Sequence, residues 1–143
     1  MLVGGSIGGT AVLLAAPRVR PIVAGAVCVS CVGNLADYVG GSQTQYDAAR
    51  AMPNLRAALL IMGATDDPIV DLPLYRRLIR LAATHDKALA LFPGGAHGAR
   101  LFDSTVSGPA ATTRLLEFLA RHPQIGSIGG WTGGCSAPGI GSV

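Results

Sequence analysis

Three short apolar runs, PIVAGAVCVSC, LRAALLIMG and KALALF, alternate with stretches of helical periodicity, and no other feature of the sequence narrows the fold as far. Runs of this length with few polar positions suit strands that are apolar on both faces, the condition of a parallel sheet covered by helices. Between them, DLPLYRRLIRLAATHD sets Leu74, Leu78 and Leu81 at helical spacing with arginines in the gaps. PAATTRLLEFLARH repeats the pattern, with Leu115, Phe118 and Leu119 on its inward side. Met1 to Val3 reads as a strand end and Gly4 to Gly8 as a tight turn. Gly9 to about Ala16 reads as a helix stopped by Pro17, and one further helix is expected near TQYDAARAM. Half of the 143 residues are hydrophobic and 13% are charged, which matches a sheet buried on both sides. The expected fold is therefore α/β, a parallel sheet of about four strands with helices on both faces, over residues 1–122. After Pro123 the chain turns to GSIGGWTGGCSAPGIGSV, which has no period to pack, so residues 123–143 are expected to form a Gly-rich disordered tail.

The charge pattern excludes several partners. The formal net charge of +3 is spread over scattered arginines, including Arg18, Arg50, Arg76 and Arg100, and forms no concentrated cationic face for nucleic acid. The apolar opening is broken by Pro17, Arg18, Arg20 and Pro21, short of the roughly 20 residues that a bilayer needs. AVLLAA followed by Ala24-Gly25-Ala26 has some character of a secretory signal, yet no Lys or Arg precedes it. Cys28 and Cys31 form a C-x-x-C inside the run AVCVSCV, where two buried thiols on a core strand are expected rather than a redox pair at a helix start. With Cys135 far away there are too few ligands for a closed zinc site, and no cofactor motif is present. Unpaired thiols and the weak signal favour the cytoplasm.

In a parallel sheet, ligand chemistry gathers at the carboxyl ends of the strands. Three loops are expected there, and each carries a reactive group. Gly4-Gly5-Ser6-Ile7-Gly8 fits G-x-S-x-G, in which a serine sits on a sharp turn from strand to helix between residues small enough for the two to approach. The helix start supplies N–H groups for an oxyanion. A serine hydroxyl needs a base, and the base an orienting acid. ATDDPIV places Asp66 and Asp67 after the second apolar run, and PGGAHG places His97 after the third. The order Ser, Asp, His is that of the α/β-hydrolases. His85 and His122 read as surface groups at helix ends, and Asp37, Asp47, Asp71 and Asp103 as caps or solvated loop residues.

On these motifs the chain resembles the C-terminal half of an α/β-hydrolase of the dienelactone-hydrolase or serine-esterase type. VGGSIGGTAVLLAA looks like the nucleophile elbow and its helix, LRAALLIMGATDDPIV like the strand and acid loop, LALFPGGAHGARLF like the histidine loop, and LLEFLARH like the closing helix. The resemblance implies Ser6 as nucleophile, His97 as general base and then acid, and Asp66 as the residue orienting His97, with Ile7 offering a backbone oxyanion donor. In the family the acid usually falls three residues after the strand-ending glycine, here Gly63, which selects Asp66; the pattern D-P-x-V favours Asp67. The resemblance also implies that strands, helices and the loop giving the second oxyanion donor precede the elbow, so this sequence is expected to be an N-terminally truncated form. The substrate implied is a small acyl compound, without nucleic acid, membrane or cofactor, and residues 33–56 leave room for only one short helix and thus an open site.

Two other readings stand beside this one. A non-catalytic fragment would keep the motifs without assembling a site. A nucleotide-binding βαβ unit would use VGGSIGG as a variant of G-x-G-x-x-G, but Ser6 takes the place of the middle glycine and the first acidic residue, Asp37, comes late.

Overall fold

The central strands carry the least polar sequence in the chain and lie in the middle of the sheet. The structure, a computed structural model, describes residues 1–19 and 23–123. Strands β1 (Leu2–Gly5), β2 (Gly25–Val29), β3 (Ala58–Ala64) and β4 (Lys87–Phe92) form one sheet in the order β1-β2-β3-β4, with each neighbouring pair parallel. Every residue of β2 and β3 is buried, whereas β1 alternates and β4 is half-buried along most of its length. That gradient is the one expected of two inner strands flanked by two edges. Three longer helices connect and close the sheet: α1 (Ile7–Ala15), α4 (Leu72–Leu81) and α6 (Gly108–Arg121). Single turns α2 (Ala36–Val39), α3 (Ala48–Ala51) and α5 (Arg100–Asp103) lie in the connections, and a 3-10 turn (Met52–Asn54) follows α3.

The pleat divides the core into two. On one face Ala26, Cys28, Leu59 and Ile61 pack with Leu13, Met52, Leu55, Tyr75 and Leu78 from α1, α4 and the segment between α3 and β3. On the other, Val27, Val29, Leu60 and Met62 pack with Leu101, Ala111 and Phe118 from α5 and α6. Successive residues of one strand thus serve opposite faces, as strand geometry requires. Each fully buried leucine or phenylalanine contributes roughly 1.5–3 kcal/mol relative to exposure. Helices therefore cover both faces, as the sequence implied.

Several local expectations need correction. α4 was expected to run to Asp86, but it stops at Leu81. Ala82 is extended, the Ala83 N–H donates to Met52 O, and the Asp86 carbonyl accepts from Leu59 N–H at the start of the β3–β4 pairing. Tertiary hydrogen bonds take over the segment that periodicity assigned to the helix. The same helix buries Tyr75 and Leu78 fully, while Leu74 and Leu81 stay half-buried. Residues 33–56 hold two α-helical turns and a 3-10 turn rather than one short helix. The Asn34 side chain accepts from Ala36 N–H at the start of α2, and the Asp47 carboxylate accepts from Ala49 N–H at the start of α3.

Cys28 and Cys31 were expected as two free thiols on a strand, and they are instead joined in a disulfide. A fully extended chain would hold residues three apart at about 10 Å. Here β2 ends at Val29 and Ser30 adopts φ 50°, so the chain folds back and the two Cα atoms lie 5.8 Å apart. The thiol argument for a cytoplasmic setting falls with this pairing. Cys135 and, apart from Pro123, the tail expected over residues 123–143 lie outside the described residues. No helix among the described residues is long and apolar enough to cross a membrane.

Candidate active site

Parallel pairing in register brings the carboxyl ends of the strands to one rim, because Gly5 pairs with Val29, Val29 with Met62, and Met62 with Ala90. The loops that follow carry Ser6, Ser30, Asp67 and His97. Ser6 is a single residue between β1 and α1, at φ 53° and ψ −124°. Non-glycine residues rarely adopt that conformation, and it costs on the order of 1–3 kcal/mol. Neighbouring structure holds it there. The Ser6 N–H donates to Val29 O at 2.7 Å, and its carbonyl accepts from Thr10 N–H at 3.2 Å. Thr10 is itself buried and its hydroxyl accepts from Gly33 N–H at 3.2 Å, tying α1 to the loop beyond β2.

The glycines around Ser6 do not share one role. A Cβ on Gly4 would overlap the Gly8 carbonyl, and one on Gly9 would lie 2.9 Å from Gly4 O and 3.3 Å from the Cys31 Cβ. Strand and helix cross at Gly4 and Gly9. A Cβ on Gly8 would meet nothing within 4 Å. The sequence motif marks Gly8 as required to be small, but the helix crossing makes that demand of Gly9.

Ser6 Oγ lies 2.8 Å from His97 Nε2, across 91 residues of chain. His97 Nδ1 lies 2.9 and 3.0 Å from the two carboxylate oxygens of Asp67. A carboxylate accepts and does not donate, so Nδ1 carries the imidazole proton and Nε2 is left to accept from the Ser6 hydroxyl. The Asp67 side chain is fully buried and that of His97 is 17% exposed. One Asp67 oxygen also accepts from the backbone N–H of Ile69 at 2.9 Å and of Val70 at 3.2 Å, which fixes the carboxylate from behind. The Gly98 turn, at φ 59°, brings the backbone after His97 close to Ser6; a Cβ there would lie 3.8 Å from that of Ser6.

Asp66, the acid favoured from the sequence, does not reach His97. It is exposed, and its carboxylate accepts from the Thr65 hydroxyl at 2.9 Å. The reason is the length of β3, which runs one residue past Gly63 to Ala64. Thr65 and Asp66 then continue pairing through N–H bonds to Phe92 O and Gly94 O. The chain turns inward only at Asp67, three residues after the true strand end, as the D-P-x-V pattern signalled.

Beneath the rim lies a buried polar pair absent from the sequence reading. Tyr75 and Ser30 are both 0% exposed, and neither hydroxyl completes a hydrogen bond. Burial pushes the Tyr75 phenol up to about 12; the Ser30 hydroxyl pulls the other way, and the Asp67 charge adds to the rise. Tyr75 stands over Gly63, where a Cβ would come 2.6–2.7 Å from its ring and hydroxyl. The helical spacing of the leucines concealed this residue; a large aromatic one position from that stripe was the available signal.

The Ile7 N–H is the first of α1 and has no acceptor among the described residues. A cleft of about 710 Å3 opens beside His97, walled by Pro68, Ile69, Ala96 and Arg100. No cluster of His, Cys, Asp and Glu suited to a metal occurs among the described residues. The other histidines lie away from Ser6, Asp67 and His97. His85 is exposed, while His122 packs against Phe118 with ring centroids 4.5 Å apart and its Nε2 3.4 Å from Asp86. For a dinucleotide the middle glycine of the motif must let backbone approach a pyrophosphate; here that position holds Ser6, with its hydroxyl turned onto His97.

A parallel sheet with this elbow and these loops has the α/β-hydrolase fold, and solved structures agree. The chain is similar to a monoacylglycerol lipase from Paleococcus ferrophilus, with 17% identity and a TM-score of 0.70 over 85% of this chain and 68% of that one. It is similar to a dienelactone hydrolase from Anabaena variabilis, with 22% identity and a TM-score of 0.64 over 84% of this chain and 48% of that one. For an esterase domain of a Rhodothermus marinus protein the identity is 20% and the TM-score 0.67, over 84% and 59% of the two chains. The chain thus spans between 48% and 68% of the length of these three. No protein-family model and no curated protein matches the sequence.

Proposed function

We propose that the chain carries the catalytic triad of a serine hydrolase that cleaves carboxylic esters or related acyl compounds. Ser6 is the nucleophile, His97 the base and then acid, and Asp67 the group that orients and charge-balances the imidazole. The observation that carries this reading is the continuous path from Ser6 Oγ through both His97 nitrogens to Asp67. In the first step Ser6 Oγ bonds to the acyl carbon while His97 Nε2 takes the hydroxyl proton. The bond from carbon to the leaving oxygen then breaks, and His97 returns the proton to that oxygen. Water, deprotonated by His97, cleaves the acyl-enzyme and restores Ser6. The Ile7 N–H, at the positive end of α1, faces the charge that develops on the carbonyl oxygen.

The cleft beside His97 has apolar walls in Pro68, Ile69 and Ala96, which suits an acyl or alcohol group of modest size. Resemblance to longer hydrolases supports the same chemistry, and the lipase, dienelactone hydrolase and esterase among them act as their names state. A fluorophosphonate probe tests the reading. Labelling of the folded protein that disappears in Ser6→Ala supports it, and an unlabelled folded protein ends it.

A second reading, a non-catalytic remnant, draws on the sheet edge. Val3 on β1 is half-exposed and Ile7 is 40% exposed, which leaves apolar surface around the nucleophile. In that case the protein folds, and neither probe labelling nor ester turnover rises above that of Ser6→Ala.

A further inference from the structure

Away from the triad, a cavity of about 450 Å3 opens between the residues after α1, the loop entering α3, and the segment leading into β3. Its walls carry three guanidinium groups, Arg18, Arg50 and Arg56, against one carboxylate, Asp47. None of the three arginines forms an ion pair among the described residues, while Asp47 is committed to capping α3 through the Ala49 N–H. Two of the guanidinium groups are held by backbone: Arg18 Nη1 donates to Leu14 O, and Arg56 Nη1 donates to Pro53 O at 3.0 Å. Arg50, Thr44 and Asn54 also line the cavity, and their side chains donate no hydrogen bond and form no ion pair among the described residues.

We propose that this cavity is a binding site for a small soluble anion bearing a phosphoryl group, separate from the hydrolytic centre. Planar guanidinium groups match the spacing of phosphate oxygens with paired N–H donors, and fixing two of them in advance lowers the ordering cost of binding. Thr44 and Asn54 add neutral donors for the remaining oxygens. The volume exceeds that of phosphate alone, so the ligand carries an organic portion or a second phosphate. None of these residues belongs to the triad, and the site does not depend on the hydrolase reading.

Calorimetric titration of the full chain with inorganic pyrophosphate, at constant ionic strength, tests the proposal. Saturable binding is expected in the wild type, weakened at least tenfold in both Arg50→Ala and Arg56→Gln, with affinity falling as salt rises. Arg100→Ala, in the cleft beside His97, leaves pyrophosphate affinity unchanged. Absent binding, binding that survives both substitutions, or an equal loss in Arg100→Ala overturns the site. Citrate bound as tightly as pyrophosphate overturns the phosphoryl assignment.

Discussion

The Ser6 N–H donates to the carbonyl of Val29 at 2.7 Å, and Val29 lies inside the small ring closed by the Cys28–Cys31 disulfide. The Ser6 backbone is therefore anchored to the end of β2, inside that disulfide ring. Ser30, in the same ring, holds φ 50° and donates its N–H to Met62 O at 2.8 Å, which extends the anchoring to β3. Position and conformation of Ser6 depend on this rim as much as on its own glycines.

Opening the ring should be felt both in stability and at Ser6. A loop this short contributes on the order of 2 kcal/mol through restriction of the unfolded chain. Cys28→Ala/Cys31→Ala is expected to lower the urea midpoint accordingly and to slow fluorophosphonate labelling. A wild-type labelling rate in the double variant would show that the ring does not support the turn at Ser6.

The two neighbouring aspartates should separate cleanly. Asp67→Asn leaves the geometry but lets the imidazole adopt the wrong tautomer, a change that costs about ten-thousandfold in turnover where such triads have been dissected. Asp66→Asn removes an exposed carboxylate bonded only to Thr65 and should alter turnover by no more than about threefold. Hydrolysis of p-nitrophenyl acetate by the two variants measures the difference.

The glycines of the elbow make a paired test. Gly4→Ala drives a methyl group into the Gly8 carbonyl and should destabilise the fold by about 1–3 kcal/mol while abolishing labelling. Gly8→Ala meets open space on a helix and should stabilise by up to about 1 kcal/mol with labelling retained. Thermal denaturation and probe labelling of both variants decide it.

Tyr75 should impose an alkaline limit on stability. Its phenol is pushed up to about 12 in the folded protein against an ordinary value of 10, so the folded state keeps the proton longer than the unfolded chain. This contribution is complete below pH 10 and is lost as pH rises from 10 to 12. Tyr75→Phe should remove that loss, since phenylalanine does not titrate, and should cost little at neutral pH because the hydroxyl completes no hydrogen bond. Denaturation midpoints of both proteins between pH 8 and 11 provide the measurement.

The parts of this protein legible in the sequence are those governed by local rules. Apolar runs fixed which segments became β2, β3 and β4, and KALALF matches β4 residue for residue. Three loops at strand ends announced Ser6, His97 and an aspartate pair. Local rules failed where long-range hydrogen bonds set the boundaries. β3 extends one residue past Gly63 because its neighbours still pair with β4, and that single residue exchanges Asp66 for Asp67 at the imidazole. The C-x-x-C pairing depended likewise on where β2 stopped and on the turn at Ser30.

Residue order and hydrophobic spacing by themselves determined an α/β layer arrangement and the set of groups available for chemistry, since those follow from periodicity and side-chain type. Tertiary structure alone decided which carboxylate faces His97, which glycines must lack a Cβ, and that Tyr75 fills the space over Gly63. Those outcomes depend on side-chain direction, which reverses with a shift of one residue along a strand and is fixed only when neighbouring strands and helices lock the register.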